Sequence, residues 1–378
     1  MKILLCSDFW ETKLVGPAHL TQFLMAHKSE DVEIRLLTKD VLVPSEKIYK
    51  LNHHANYPPQ LYPIYVFYHN IILYRHINRT KKEFDFDILV FVGARNGLLS
   101  RLFLNSKIKV VGFINDYFPF FSLKNAKKYS KKWFYWTMLN RMDAWAIRYF
   151  DTILACSNDL KKKLVAAHGH SEKIKVFYQG VDVENIIFKE RKEPFSKNLK
   201  ILFVKKLYEL GGLEDLAAAL QLINFDGTFE VNIIGPSKDE MPKIEKYFPK
   251  SGKIKVNIMG YCDEKKVHQA MFENDILCIP SRTESLGIAN IEGLATGISV
   301  VSTSEGGIPE VMDFGKNGWL AKPKNAISLR DELQNCINSD LSVRNEKSKN
   351  GRLFVEKNFN NNLLTSEFMI ICREIGLK

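Results

Sequence analysis

The sequence has no run of about 18 apolar residues, the length a membrane-spanning helix needs. Cysteine is sparse: Cys6, Cys156, Cys262, Cys278, Cys336 and Cys372 lie far apart, without a CxxC pair or a histidine at ligand spacing. That excludes a zinc ribbon and a disulfide frame and fits a reducing cytosol. No G-x-G-x-x-G follows the first apolar run, since CSDFWETKLVG lacks it, so the fingerprint of a nicotinamide dehydrogenase is missing. No internal repeat and no low-complexity tract is present. The opening MKILLCSDFWE has one lysine, a very short apolar run and two early acids. It reads as a first buried strand and not as a targeting segment.

What is present is a chain of 378 residues, 46% hydrophobic and 26% charged, which is the balance of a folded globular protein. That length is too great for one ordinary core and predicts two domains. The net charge of +11 is uneven. Residues 1–200 hold 32 Lys+Arg against 19 Asp+Glu, whereas residues 201–378 hold 22 against 24. A basic first half points to an anionic partner for that half.

Short runs such as KILLC (2–6), DILVFVG (87–93) and KVVGFI (109–114) are apolar with almost no alternation. Strands buried on both faces belong to parallel sheets covered by helices. DTILACS (151–157) repeats the pattern and leads into a lysine-rich helix that Gly169 stops. After the charged, Pro194-containing stretch 188–199 the rhythm restarts with KILFVKKL, LEDLAAAL, FEVNIIG, KIKVNIMG, VHQAMFEN, DILCIPS and ISVVSTS. The expected fold is α/β: two doubly wound Rossmann-like domains facing a cleft, over residues 1–187 and 200–360, with 188–199 as linker.

The densest chemistry lies in SRTESLGIANIEG (281–293). It follows the strand DILCIPS, so it sits at a carboxyl strand end, where α/β proteins bind ligands. Gly287 allows a tight turn, and the N–H groups near Leu286, Gly287 and Ile288 open a helix and make an anion pocket. Glu284 and Glu292 stand eight residues apart, roughly 12 Å if all were helical. One carboxylate could take ribose hydroxyls and the other sugar hydroxyls, with a diphosphate at the helix end between them. For either glutamate alone the plainer reading is a favourable acid near a helix N-terminus, with Ser285 as cap.

The full string PSRTESLGIANIEGLATGISVVSTSEGGIPEVM resembles the E-x7-E signature of the retaining glycosyltransferases of family 4 (GT4), which have the GT-B fold. GPAHL near the start, FYQGVD, ILFVKKLYELGG, NDILCIPS and NGWLAKP fit the same family, strongly in the second half and weakly in the first. The resemblance implies a metal-independent hexosyl transfer from a nucleotide diphosphate sugar, without cofactor, to a lipid-linked or cell-surface glycan. Positive groups and helix dipoles would do the charge stabilisation in place of a metal. It implies that Glu284 contacts the donor sugar and Glu292 the ribose. Lys206 takes the place of the arginine that holds the leaving phosphate, Gly16 brings backbone near the diphosphate, and Gly260 and Tyr261 lie by the nucleobase. Residues 361–378 look like the family's last helix, which crosses back to the first domain. Three positions depart from the pattern. Gly211 replaces a lysine, Lys206 replaces the arginine, and Asn115 stands where a histidine is common, next to Asp116. Lys205 or Arg282 would then supply the missing phosphate-binding charge, and Asp116 is the candidate for orienting the acceptor.

Between Lys124 and Arg148 there are seven Lys+Arg, one acid and three tryptophans. Lysines beside aromatic rings suit an anionic membrane surface, which places the chain in the cytoplasm at the inner membrane face. A surface helix with its rings turned to the core explains the same composition. No nucleic-acid-binding motif accompanies the basic stretch. The alternative function is a catalytically silent GT-B protein that binds a sugar, a lipid or a partner, motivated by Gly211.

Overall fold

The computed structural model describes residues 1–8, 16–26, 31–41, 43–51, 61–105, 107–116, 122, 126–248 and 252–376. The chain divides into two compact units, Met1–Gln179 with Leu364–Lys378, and Gly180–Leu363.

The first unit is built on seven strands: β1 (Lys2–Cys6), β2 (Glu33–Thr38), β3 (Ile48–Lys50), β4 (Ile88–Val92), β5 (Lys109–Ile114), β6 (Thr152–Ala155) and β7 (Ile174–Val176). They lie in the order β3-β2-β1-β4-β5-β6-β7, all parallel. Every residue of β4, ILVFV, is buried, as an apolar run without alternation requires. Its helices include α1 (Gly16–Ala26), α2 (Tyr62–Glu83), α3 (Lys131–Arg148) and α4 (Asn158–His168). Ser157 caps α4 by accepting the Leu160 N–H at 3.1 Å, and Gly169 ends it. The C-terminal helix Asn361–Gly376 buries Leu364, Phe368, Cys372 and Ile375 in the core that holds Ile3, Leu5, Leu36 and Val90. Those four recur at helical spacing, and each large apolar side chain so buried contributes about 1.5–3 kcal/mol. That burial ties the last helix to the first unit.

The second unit holds β8 (Asn198–Val204), β9 (Thr228–Ile234), β10 (Ile254–Gly260), β11 (Ile276–Ile279), β12 (Ser299–Thr303) and β13 (Trp319–Ala321), in the parallel order β10-β9-β8-β11-β12-β13. Its longer helices are α5 (Leu213–Leu222), α6 (Glu264–Glu273), α7 (Ile288–Thr296), α8 (Ala326–Asn338) and α9 (Leu341–Asn358). The segment 188–199, expected as a linker, is held on this unit. Arg191 donates to the carbonyls of Met271 (3.1 Å) and Phe272 (3.2 Å), the orphan acceptors at the end of α6. The Lys189 N–H donates to Thr296 O at 2.9 Å. Among the described residues no helix is long and apolar enough to cross a membrane.

Candidate active site

In the second unit the strand order reverses at β8, which lies between β9 and β11. Ligands bind at such switch points, outside the carboxyl strand ends. Lys205 and Lys206 follow β8, and residues 280–287 follow β11. The two loops are joined where the Arg282 N–H donates to Leu210 O at 2.8 Å. A third loop closes on them at Gly306, where a Cβ would stand 1.8 Å from the Glu284 carbonyl oxygen. No side chain other than hydrogen allows that approach.

Glu284 forms an ion pair with Lys205, both side chains about one-fifth exposed, and its Oε1 accepts the Ser285 N–H at 3.1 Å. Gly287, at φ +96°, is the residue before α7. The amides of Leu286, Gly287, Ile288 and Ala289 donate to no acceptor among the described residues, so the opening of α7 is available to an anion. The helix begins at Ile288, so only half of the stretch from Glu284 to Glu292 is helical. Gly287 itself, and not Ser285, is the cap.

The cations divide. Lys206 is exposed and has no ion pair among the described residues. Arg282 is engaged: Nε and Nη2 bind the two oxygens of Asp215 at 2.6 and 2.7 Å, and Nη2 also reaches Glu214 at 2.9 Å. The Asp215 hydrogen bonds, with those of Glu214, hold its pKa above the ordinary guanidinium value. Both acids lie in the first turn of α5, where negative charge is favourable, so Arg282 answers a structural demand. Lys205, which sits beside Glu284, is the nearer candidate for the missing phosphate charge. Gly211 has no room for a longer residue, because a Cβ there would lie 2.6 Å from the buried Phe203 ring. Gly260 ends β10, the outermost strand on that side, and Tyr261, the residue after it, is half exposed.

In the first unit Gly16 starts α1, and the loop before it, 9–15, lies outside the described residues. Asp116 is exposed after β5. Beside it is a pair that sequence reasoning missed. Arg95 Nε lies 3.0 Å from Asp143 Oδ1, and Asp143 is buried. Burial, with the Asp116 charge, pushes the Asp143 carboxyl up to about 6 against the pull of Arg95. One D-x-D spacing does occur, Asp85 and Asp87, but at the amino strand ends: Asp85 pairs with Lys81 at 2.7 Å and Asp87 accepts the Lys2 N–H at 2.9 Å.

Residues 18–185 match the model of Glycosyltransferase Family 4, and residues 184–354 that of Glycosyl transferases group 1. The chain belongs to the family 4 and group 1 glycosyltransferases. It is 30% identical over 200 residues to the amylovoran biosynthesis glycosyltransferase AmsK of Erwinia amylovora, covering 51% of this chain and 49% of that one. It is 29% identical over 211 residues to an uncharacterised glycosyltransferase of Methanocaldococcus jannaschii, covering 55% of each. The chain thus spans about half the length of these two relatives. The crystal structure of Anabaena HepE in complex with UDP-glucose superposes with a TM-score of 0.70 at 17% identity, over 99% of this chain and 100% of that one, and so shares the GT-B fold.

This glycosyltransferase carries one further cluster that the spacing Glu264 to His268, one turn of α6, could have signalled. Glu264, His268 and Glu292 each place a ligand atom within 4.8 Å of the others, the arrangement among the described residues that a cation would find. His268 Nε2 is 3.4 Å from Glu292 Oε1. Burial lowers the imidazole pKa, but the hydrogen bond and charge of Glu292, with the charge of Glu264, outweigh it and leave the pKa above 6.5. A raised histidine pKa adds stability that is full below the unfolded value and fades as the pH rises through the folded one. The melting temperature of the protein should therefore exceed that of His268→Gln most clearly below pH 6.5, with the gap closing at alkaline pH. A gap independent of pH would show that His268 acts by packing alone.

Proposed function

We propose that this glycosyltransferase is a retaining, metal-independent hexosyltransferase that moves a sugar from a nucleotide diphosphate sugar to a lipid-linked or cell-surface glycan. The observation that carries the proposal is the opening of α7, where unengaged amides lie between the Glu284 loop and the Glu292 face of the helix. A diphosphate at those amides is held by the helix end and by Lys206 as a point charge. Glu292 then accepts from ribose hydroxyls, Glu284 from hydroxyls of the transferred sugar, and Tyr261 lies by the nucleobase. Retention follows from attack on the same face, with the leaving phosphate taking the acceptor's proton and Lys206 stabilising the charge it gains. Asp116 orients the acceptor hydroxyl. HepE in complex with UDP-glucose and AmsK in amylovoran biosynthesis support this donor and acceptor class.

Thermal stabilisation by a panel of nucleotide diphosphates and their sugars tests the proposal, because a ligand of the folded state raises the melting temperature with log concentration over Kd. A shift with one nucleotide sugar is expected. No shift with any favours the second reading, a silent binding protein, which the crowding at Gly211 and the occupied Lys205 and Arg282 support.

The acceptor class is consistent with α3. Phe134, Met138, Arg141 and Trp145 recur at helical spacing and are exposed, whereas Trp133 and Trp136 are half-buried. Lys127, Lys128, Lys131 and Lys132 are exposed at its amino end. Two aromatic rings and a methionine interleaved with Arg141, beside four lysines, fit an anionic bilayer at the inner membrane face. Replacing the four lysines with alanine should weaken binding to phosphatidylglycerol vesicles at low salt by roughly a thousandfold, at about 1 kcal/mol for each lysine. Unchanged co-sedimentation would remove α3 from the membrane contact.

A further inference from the structure

The cluster of Glu264, His268 and Glu292 stands on two packed helices. Glu264 and His268 lie one turn apart on α6, and Glu292 comes from α7. The two helices pack against each other, with Val267, Ala270 and Met271 of α6 buried and Ile291, Gly293 and Leu294 of α7 buried. Arg191 fixes the far end of α6 through the carbonyls of Met271 and Phe272. The His268 and Glu292 side chains are 18% and 12% exposed, and Glu264 is at the surface.

These three groups do not satisfy one another. His268 Nε2 carries at most one proton, and it faces Glu292 Oε1 at 3.4 Å, which leaves the Glu264 carboxylate close to a second negative charge. An acid in the first turn of α6 favours the helix, which accounts for Glu264 alone but not for its convergence with two other groups. A divalent cation takes all three. Bonds of about 2.0–2.2 Å to nitrogen and oxygen set tetrahedral ligand atoms roughly 3.3–3.6 Å apart. His268 Nε2 and Glu292 Oε1 already stand at that spacing. The separations that involve Glu264 are within 4.8 Å and close by rotation of an exposed side chain. One imidazole with two carboxylates suits zinc and its first-row neighbours, whereas magnesium and calcium take oxygen ligands and more of them. Three protein ligands leave the fourth position to water.

We propose that Glu264, His268 and Glu292 form a binding site for a zinc-class divalent ion, and that the bound ion excludes the nucleotide by taking the Glu292 carboxylate. The ion is an inhibitor and not a participant, in keeping with the metal-independent transfer proposed above. The exclusion rests on the proposed grip of Glu292 on ribose. The ion site does not.

Titration calorimetry of the full chain with Zn2+, without nucleotide, tests the site. Binding of one ion per chain is expected, undisturbed by excess Mg2+. His268→Gln and Glu264→Gln should each weaken it at least tenfold, since even an outer-shell partner of a metal costs about 10–100-fold when lost. Glu264 is exposed, so its replacement spares the core. No Zn2+ binding, or binding that both variants leave unchanged, overturns the proposal. The exclusion is read from the melting shift given by the nucleoside diphosphate that stabilises the protein most. Free Zn2+ is fixed by a metal buffer, because diphosphates bind zinc themselves. With free Zn2+ at about ten times its Kd, the apparent nucleotide Kd should rise about tenfold. Glu264→Gln keeps Glu292, so it should keep the nucleotide shift and lose the zinc effect. Zinc binding without competition would overturn the exclusion together with the ribose role of Glu292. Zinc binding with no shift by any nucleotide would sink the transfer reaction and leave the ion site standing.

Discussion

Glu284→Gln is expected to lower turnover about a hundredfold while leaving thermal melting unchanged, the loss typical of removing one group that stabilises developing charge. The side chain stands in the loop after β11, about one-fifth exposed, with Lys205 as counter-ion. An ion pair at that exposure contributes at most about 1 kcal/mol to folding. Glutamine keeps the shape and can still accept the Ser285 N–H that Glu284 Oε1 now takes at 3.1 Å. The backbone of the loop is fixed elsewhere, by the close approach of Gly306 to the Glu284 carbonyl and by the Arg282 N–H on Leu210. What glutamine loses is the negative charge and half of the acceptor capacity toward sugar hydroxyls. Turnover should therefore fall at saturating donor as well as at low donor. Steady-state rates with the nucleotide sugar that stabilises the protein would check this. Turnover equal to that of the unaltered protein would remove Glu284 from the reaction, and a fall matched by a lower melting temperature would make its role structural.

The parallel sheets were legible because burial on both faces leaves a run such as ILVFV with no polar position. β3, the edge strand IYK, has only half-buried residues, so nothing in its sequence marked it as part of a sheet. The loop 281–293 was legible for a different reason: its acids, glycine and helix start are adjacent in the chain. Contacts set by topology were not. Arg282 was read as a phosphate ligand, but its guanidinium goes to Asp215 and Glu214, which are 67 and 68 positions away. The linker expected at 188–199 was inferred from charge and proline, yet its arginine serves the carbonyl end of α6. Gly211 was read as standing in place of a family lysine. Phe203, eight positions earlier, fills the space a side chain would need. Such pairings depend on which strands lie side by side, and local pattern does not carry that information.

Arg95 and Asp143 are the sharpest case, since neither residue stands out in sequence, and removing the arginine should have the largest effect on stability. Arg95→Leu is expected to destabilise the first unit by about 3–5 kcal/mol at pH 8, the cost of leaving a buried charge without its partner. Asp143 is 3% exposed, and Arg95 is what draws its carboxyl down against burial and Asp116. Without Arg95 the pKa rises beyond its present value of about 6. The sign then follows. A carboxyl whose folded pKa exceeds the unfolded one gives stability that is complete below the unfolded value, near 3.8, and is lost as the pH rises through the folded value. In Arg95→Leu the acid stays protonated to higher pH, so the deficit should shrink as the pH is lowered from 8 toward 5. Urea midpoints for the two proteins across that range measure it. A deficit that is constant with pH would mean that Arg95 acts through its contacts with Tyr62, 3.1 Å away, and not through the charge of Asp143. A deficit that closes at low pH would identify the pair as an electrostatic element held in the first unit against the preference of an apolar core.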